Sequence, residues 1–168
     1  MTTTVTDIRL ADETDSAGLE RVHAASWRQA YTGIIPFREL NAMISRRDTA
    51  WWARAIHAGA QVLVCSFGGT TVGYATFGPN RTAALAGQGE IYELYLDPVF
   101  QGVGLGRRLF GAARRRLSRD GLDSFLVWTL AENLRAVDFY GAMGGVRVAT
   151  GTERFGARAV DKAAFRWA

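Results

Sequence analysis

The chain has 168 residues, 48% hydrophobic and 21% charged, with a formal net charge of +4. That is the size and balance of one globular domain spanning 1–168, so disordered and fibrous classes are excluded. No apolar run approaches the roughly 18–20 residues of a membrane helix, and a single cysteine rules out an internal disulfide or a cysteine-based metal cluster, so no metal is expected.

In chain order, Met1–Asp7 lacks the basic start and apolar run of a signal peptide, so a cytoplasmic protein with no membrane partner is expected. Thr6–Leu10 reads as a short strand. Asp15–Ala30 reads as a helix, with Leu19, Val22, His23, Ser26 and Trp27 along one face. Gly33 and Pro36 break it, and a second helical region runs from about Phe37 to Ala58. Gln61–Ser66 and Thr71–Phe77 form a hairpin turning at Gly68-Gly69. Cys65, within its first strand, reads as a buried small hydrophobe, because neither His23 nor His57 is near it in sequence.

A loop over Gly78–Gly87 leads to a strand, Glu90–Leu96, which Asp97-Pro98 ends. From about Gly104 to Arg119 a helix carries Leu105, Leu109, Ala113 and Leu117 on one stripe, and Gly121 stops it. Ser124–Leu130 is a buried strand and Asn133–Met143 a short helix with Gly144-Gly145 as its exit. Val146–Thr150 and Ala159–Trp167 read as a closing pair of strands. Strand–helix–strand–helix after residue 89 implies some parallel pairing in a mixed α/β fold.

All but one of the 20 basic residues are arginine, and Arg107, Arg108, Arg114, Arg115, Arg116 and Arg119 fall in one short segment. A nucleic-acid surface is one reading of that cluster. A solvated helix face, with a few arginines near a phosphorylated ligand, is favoured. Only Phe110 is interleaved as a stacking platform.

The most informative stretch runs from Glu90 through Gln101-Gly102-Val103-Gly104-Leu105-Gly106 to Arg107-Arg108. A strand enters a glycine-rich turn that leads straight into a helix. Such a turn leaves backbone N–H groups aimed one way with the helix dipole behind them, which suits a pyrophosphate. A Walker loop would need Gly-Lys-Ser/Thr, and a dinucleotide fingerprint from Gly102 would need glycine or alanine at 107; arginine follows Gly106 instead.

Gln-x-x-Gly-x-Gly after a strand resembles the pyrophosphate loop of the GNAT superfamily of N-acetyltransferases. Asn133-Leu134-Arg135-Ala136-Val137-Asp138-Phe139-Tyr140 resembles that family's Asn-x-x-Ala-x-x-Phe-Tyr segment. Ser26–Pro36 is similar to the Trp/Tyr-rich helix and loop of its small bacterial members. One departure is Gly144-Gly145-Val146, where family members usually have Gly-Phe, and it puts local packing in question.

The resemblance implies a central, mostly antiparallel sheet of about six to seven strands, splayed at the cofactor site and flanked by about four helices. It implies acetyl-CoA as acyl donor and direct transfer to a primary amine of a small molecule or peptide. Leu94, Tyr95 and Leu96 would then pair with the pantetheine arm. Backbone N–H groups from Gln101 to Arg107, among them those of Gly102, Val103, Gly104, Leu105 and Gly106, would hold the pyrophosphate. Arg107 and Arg108 would reach its phosphates. Asn133 and Tyr140 lie two helical turns apart on one face, with Phe139 beside Tyr140, and Tyr140 would protonate the departing thiolate.

For the general base, Glu90 is favoured and Glu93 stands second, on the opposite face by strand alternation unless a bulge intervenes. Trp27, Tyr31, Ile34 and Trp128 are candidates for the acceptor wall. A non-catalytic acyl-CoA-binding module, or a transferase acting on tRNA or a protein N-terminus, are the alternatives. A homodimer is an expectation from the resemblance alone.

Overall fold

The computed structural model describes residues 5–168, so residues 1–4 of the N-terminal stretch lie outside it. Its elements run β1 (Thr6–Leu10), α1 (Ser16–Tyr31), α2 (Phe37–Arg46), α3 (Thr49–His57), β2 (Val62–Phe67), β3 (Thr70–Pro79), β4 (Gly89–Leu96), α4 (Leu105–Arg119), β5 (Phe125–Leu130), α5 (Leu134–Ala142), β6 (Val146–Phe155) and β7 (Arg158–Trp167). The strands form one seven-stranded sheet in the order β1-β2-β3-β4-β5-β7-β6. Every neighbouring pair is antiparallel except β4 and β5.

Five helices flank the sheet, one more than the sequence suggests, because the region Phe37–Ala58 is two helices. Arg47 leaves the helical conformation and Asp48 starts a new helix, its carboxylate accepting from the Trp51 N–H at 2.8 Å. Aspartate is among the strongest N-caps, so the break is local chemistry that an apolar pattern does not report.

Each face of the sheet carries its own core. On one, Leu105, Leu109, Ala113 and Leu117 of α4 pack on Val72, Ala75 and Phe77 of β3 and on Ile91 of β4. On the other, Leu19 and Val22 of α1 and Trp52 of α3 meet Val62, Val64 and Tyr74. Cys65 lies wholly buried in the α4 face.

The Gly-Gly-Val exit from α5 is explained by a tryptophan from the other end of the chain. The Trp167 indole donates to the Met143 carbonyl at 3.0 Å and stacks on Phe125, ring centroids 5.0 Å apart. It leaves no room at Gly145, where a Cβ would stand 2.6 Å from the Trp167 ring and 3.0 Å from the Tyr140 carbonyl oxygen. Gly145→Ala is therefore expected to destabilise the fold by about 1–3 kcal/mol, read as a lower urea midpoint. An unchanged midpoint would show that Trp167 can give way.

Candidate active site

The site begins where the sheet comes apart. β4 and β5 pair only at Gly89↔Phe125 and Glu90↔Leu126, although both strands continue beyond. Past that rung the strands diverge and open a cavity of about 680 Å³. Tyr92–Leu96 line one wall, and Trp128 and Thr129 the other. Gly102, Gly104, Gly106 and Arg107 close one end, with Asn133, Phe139 and Tyr140 alongside. Beyond the rung, the β5-facing edge of β4 has no strand partner and is a template for an extended ligand.

A bulge shapes the β4 wall. Thr76 pairs with Glu93 and Phe77 with Ile91, so Tyr92 has no partner in the register. Ile91 and Leu94, three apart, consequently both face α4, while Tyr95 turns to the α1 side. Strand alternation alone would set Glu90 and Glu93 on opposite faces; the bulge returns them to the same one.

The turn into α4 is built for close approach. Gly102 and Gly104 have φ of +80° and +86°, and a Cβ on either would meet nothing within 4 Å. Gly104 is the N-cap of α4 and offers no side chain to the first helical amides, which are left to a ligand. Gln101 anchors the turn, its amide donating to Gln29 at 2.8 Å and to the Leu96 carbonyl at 3.3 Å while it accepts from Arg135. Val103, Leu105 and Arg108 do not line the cavity. The Val103 side chain stands in solvent, Leu105 is buried at the start of α4, and Arg108 is exposed on that helix.

Tyr140 is 5% exposed and lines the cavity from α5. Among the described residues nothing hydrogen-bonds its hydroxyl. Burial, reinforced by Tyr31, pushes its phenol well above the ordinary value, so it keeps its proton. Asn133, which also lines the cavity, is the N-cap of α5 and accepts from the Ala136 N–H at 3.4 Å.

The two carboxylates have different surroundings. Glu93 borders the first cavity but accepts from Arg47 at 2.8 Å, Tyr74 at 3.0 Å and Thr76 at 3.3 Å. Glu93 is thus ion-paired with Arg47, whose guanidinium lies 4.4 Å from the Trp51 ring centroid. Glu90, 2% exposed, opens on a second cavity of about 470 Å³ and takes both its hydrogen bonds from Arg81. The two cavities share Tyr31, Trp128 and Thr129.

Trp27, Tyr31 and Trp128 line that second cavity. Ile34 does not; its neighbour Ile35 does, because Ile34 packs on the cluster around α2 from outside. Tyr31 and Tyr95 share a hydroxyl–hydroxyl hydrogen bond, and burial pushes the Tyr31 phenol up to about 12. Arg81 and Lys162 are the residues that sequence reasoning missed. Arg81 sits in a loop without a motif, but Lys162 did carry a signal as the only lysine of an arginine-rich chain.

Behind the wall, His23 is fully buried against Trp27, with ring centroids 4.6 Å apart. Burial, aided by the charge of Arg47, lowers its pKa to about 3. The unfolded chain takes up a proton near 6.5 where the folded one does not, so this group costs stability as pH falls through 6.5 toward 3. Between pH 7 and pH 5 the loss is about 2 kcal/mol. Urea titrations at the two pH values should show it, and His23→Leu should flatten the difference.

A splayed strand pair running into a helix N-terminus with uncapped backbone amides leaves room for an extended anionic ligand. The Acetyltransferase (GNAT) family matches residues 20–144, and the chain belongs to that family. It is similar to the uncharacterized N-acetyltransferase YuaI of Bacillus subtilis, at 34% identity over 87% of this chain and 82% of that one. A mycothiol acetyltransferase of Frankia casuarinae is 34% identical over 62% of this chain but only 31% of its own length. Among solved structures, the PaiA N-acetyltransferase of Thermoplasma acidophilum in complex with coenzyme A superposes with a TM-score of 0.76 at 18% identity, covering 94% and 98% of the two chains. YncA of Salmonella typhimurium with acetyl-CoA gives 0.69 at 20%, covering 99% and 94%. The protein is an N-acetyltransferase that uses acetyl-CoA.

Proposed function

We propose that the enzyme moves the acetyl group directly onto a primary amine of a small molecule or peptide, with both substrates bound together and no acyl-enzyme. The observation that carries this reading is the junction of two cavities. One fits an extended cosubstrate and the other holds a buried carboxylate, and they meet at Tyr31, Trp128 and Thr129. Cys65, the one candidate thiol nucleophile, is buried under α4 and burial pushes its thiol up, away from the reactive thiolate.

In this scheme the amides from Gln101 to Arg107 hold the pyrophosphate, and the free edge of Leu94–Leu96 aligns the pantetheine arm. An N–H of that edge donates to the thioester oxygen as charge develops there. Glu90, directly or through water, accepts the amine proton while the C–N bond forms. As the C–S bond breaks, Tyr140 gives its proton to the sulfur. Trp27, Tyr31 and Trp128 shape the acceptor side.

Calorimetric titration with acetyl-CoA, followed by thiol release across a panel of amines, tests the reading. Saturable binding and amine-dependent release of coenzyme A thiol are expected. Binding without release to any amine would overturn the transfer scheme.

A further inference from the structure

The second cavity carries an unusual balance of charge. Its four charged groups are Arg81, Glu90, Glu153 and Lys162, two of each sign. Each is already paired: Arg81 with Glu90 at 2.8 Å, and Lys162 with Glu153 at 3.1 Å. Lys162 lies 4.6 Å from the Trp128 ring centroid, and Trp128 donates its indole N–H to Thr82, the residue after Arg81, at 3.0 Å.

The Arg81–Glu90 pair is asymmetric. The Glu90 side chain is 3% exposed, that of Arg81 63%. One Glu90 oxygen takes the Arg81 backbone N–H at 3.0 Å and the other its guanidinium, which stacks 3.9 Å from the Tyr92 ring centroid. The loop that presents Arg81 is folded around Asn80, whose amide donates to the carbonyls of Thr82, Leu85 and Gly87 and whose oxygen accepts from the Thr82 N–H. The backbone is thus fixed while the guanidinium can swing on an exposed stem.

An acceptor must reach a cavity in which no charge stands free. A simple cationic amine that took Glu90 would leave Arg81 without its partner, and a polyamine would bring more positive charge to a site with none to spare. A zwitterion has neither problem. Its ammonium replaces the guanidinium on Glu90, and its carboxylate takes the released guanidinium, so that every charge stays paired. Apart from Thr82 and Thr129, the remaining lining, with Ile35, Met43, Leu130 and Phe155, is apolar and aromatic.

Resting on the transfer reading above, we propose that the acceptor is a free α-amino acid with an apolar side chain, its amine directed by Glu90 and its carboxylate by Arg81. The ammonium gives one proton to Glu90 and on to solvent. Its nitrogen then attacks the thioester carbon, the C–S bond breaks as Tyr140 protonates the sulfur, and the second amine proton, lost from the nitrogen through solvent, restores the Tyr140 phenol. The products are an N-acetyl amino acid and free coenzyme A.

The test compares L-leucine, L-methionine and L-phenylalanine with their amides and with spermidine as acceptors, for the wild type and for Arg81→Gln. Acetyl-CoA affinity is measured by calorimetry for both proteins. The amides keep the amine and side chain but lack the anion. The wild type should favour the acids by about 10-fold or more in kcat/KM, since a site built to pair a polar group discriminates strongly against its absence. Arg81→Gln should lose that preference while binding acetyl-CoA as before. Amides or spermidine used as well as the acids, a preference that survives Arg81→Gln, or bound acetyl-CoA with none of the panel acetylated would each overturn the proposal. Absence of acetyl-CoA binding by folded wild type would instead overturn the transfer reading on which it rests, and the proposal with it.

Discussion

Tyr140→Phe is expected to lower kcat by about 10²–10⁴, toward the smaller end, while leaving acetyl-CoA affinity unchanged. The smaller end follows from the environment. Burial holds the phenol above its ordinary value, so it is a reluctant acid toward a departing thiolate. The same burial keeps it protonated over the whole range in which an amine can attack. The substitution is clean, because the ring packs among Phe110, Phe165 and Trp167 and the hydroxyl bonds to none of the described residues. Steady-state kinetics together with the melting temperature decide the matter. A turnover equal to wild type would remove Tyr140 from the chemistry and leave it a core residue.

Gly104→Glu should weaken acetyl-CoA binding by about 100-fold or more without unfolding the protein. The φ of +86° costs a non-glycine residue roughly 1–2 kcal/mol. No atom stands within 4 Å of the added Cβ, so the fold meets no clash. The carboxylate, however, enters the space in front of the α4 amides, where it competes with the pyrophosphate and repels it by several kcal/mol. Gly104→Ala separates the two effects, since it carries the backbone strain but no charge. Calorimetry should find the alanine variant intermediate; equal and unimpaired binding by both variants would place the diphosphate elsewhere.

Much of the fold was legible from local signals. The hairpin at Gly68-Gly69, the helix stripe Leu105–Leu117 and the glycine turn at 102–106 are short-range patterns, and each stands where the residues put it. The break at Asp48 was missed because a polar cap interrupts an otherwise helical composition without a glycine or proline. The bulge at Tyr92 was visible only as an exception to alternation, since it depends on how Thr76 and Phe77 meet the strand opposite. The candidate site divided in the same way. Gln101–Gly106 and Tyr140 belong to contiguous motifs. Arg81 and Lys162 are 81 residues apart in the chain and reach one cavity only through the loop around Asn80 and the insertion of β7 beside β5. Ile34 and Ile35 differ by one position, and no periodicity could choose between them in a turn.

The parted strands also divide the sheet. A four-stranded block, β1 to β4, and a three-stranded block, β5, β7 and β6, pair as strands only at residues 89–90 and 125–126, while the core under α4 spans both. Each block is a continuous length of chain, so a cosubstrate lying along the gap, as proposed above, would be a splint between two halves of one sheet. Ligand that binds only the closed arrangement stabilises it by mass action. Amide exchange in β5 and in the far end of β4 should therefore slow together when acetyl-CoA is added, and the free enzyme should be the more pliant of the two states across that seam.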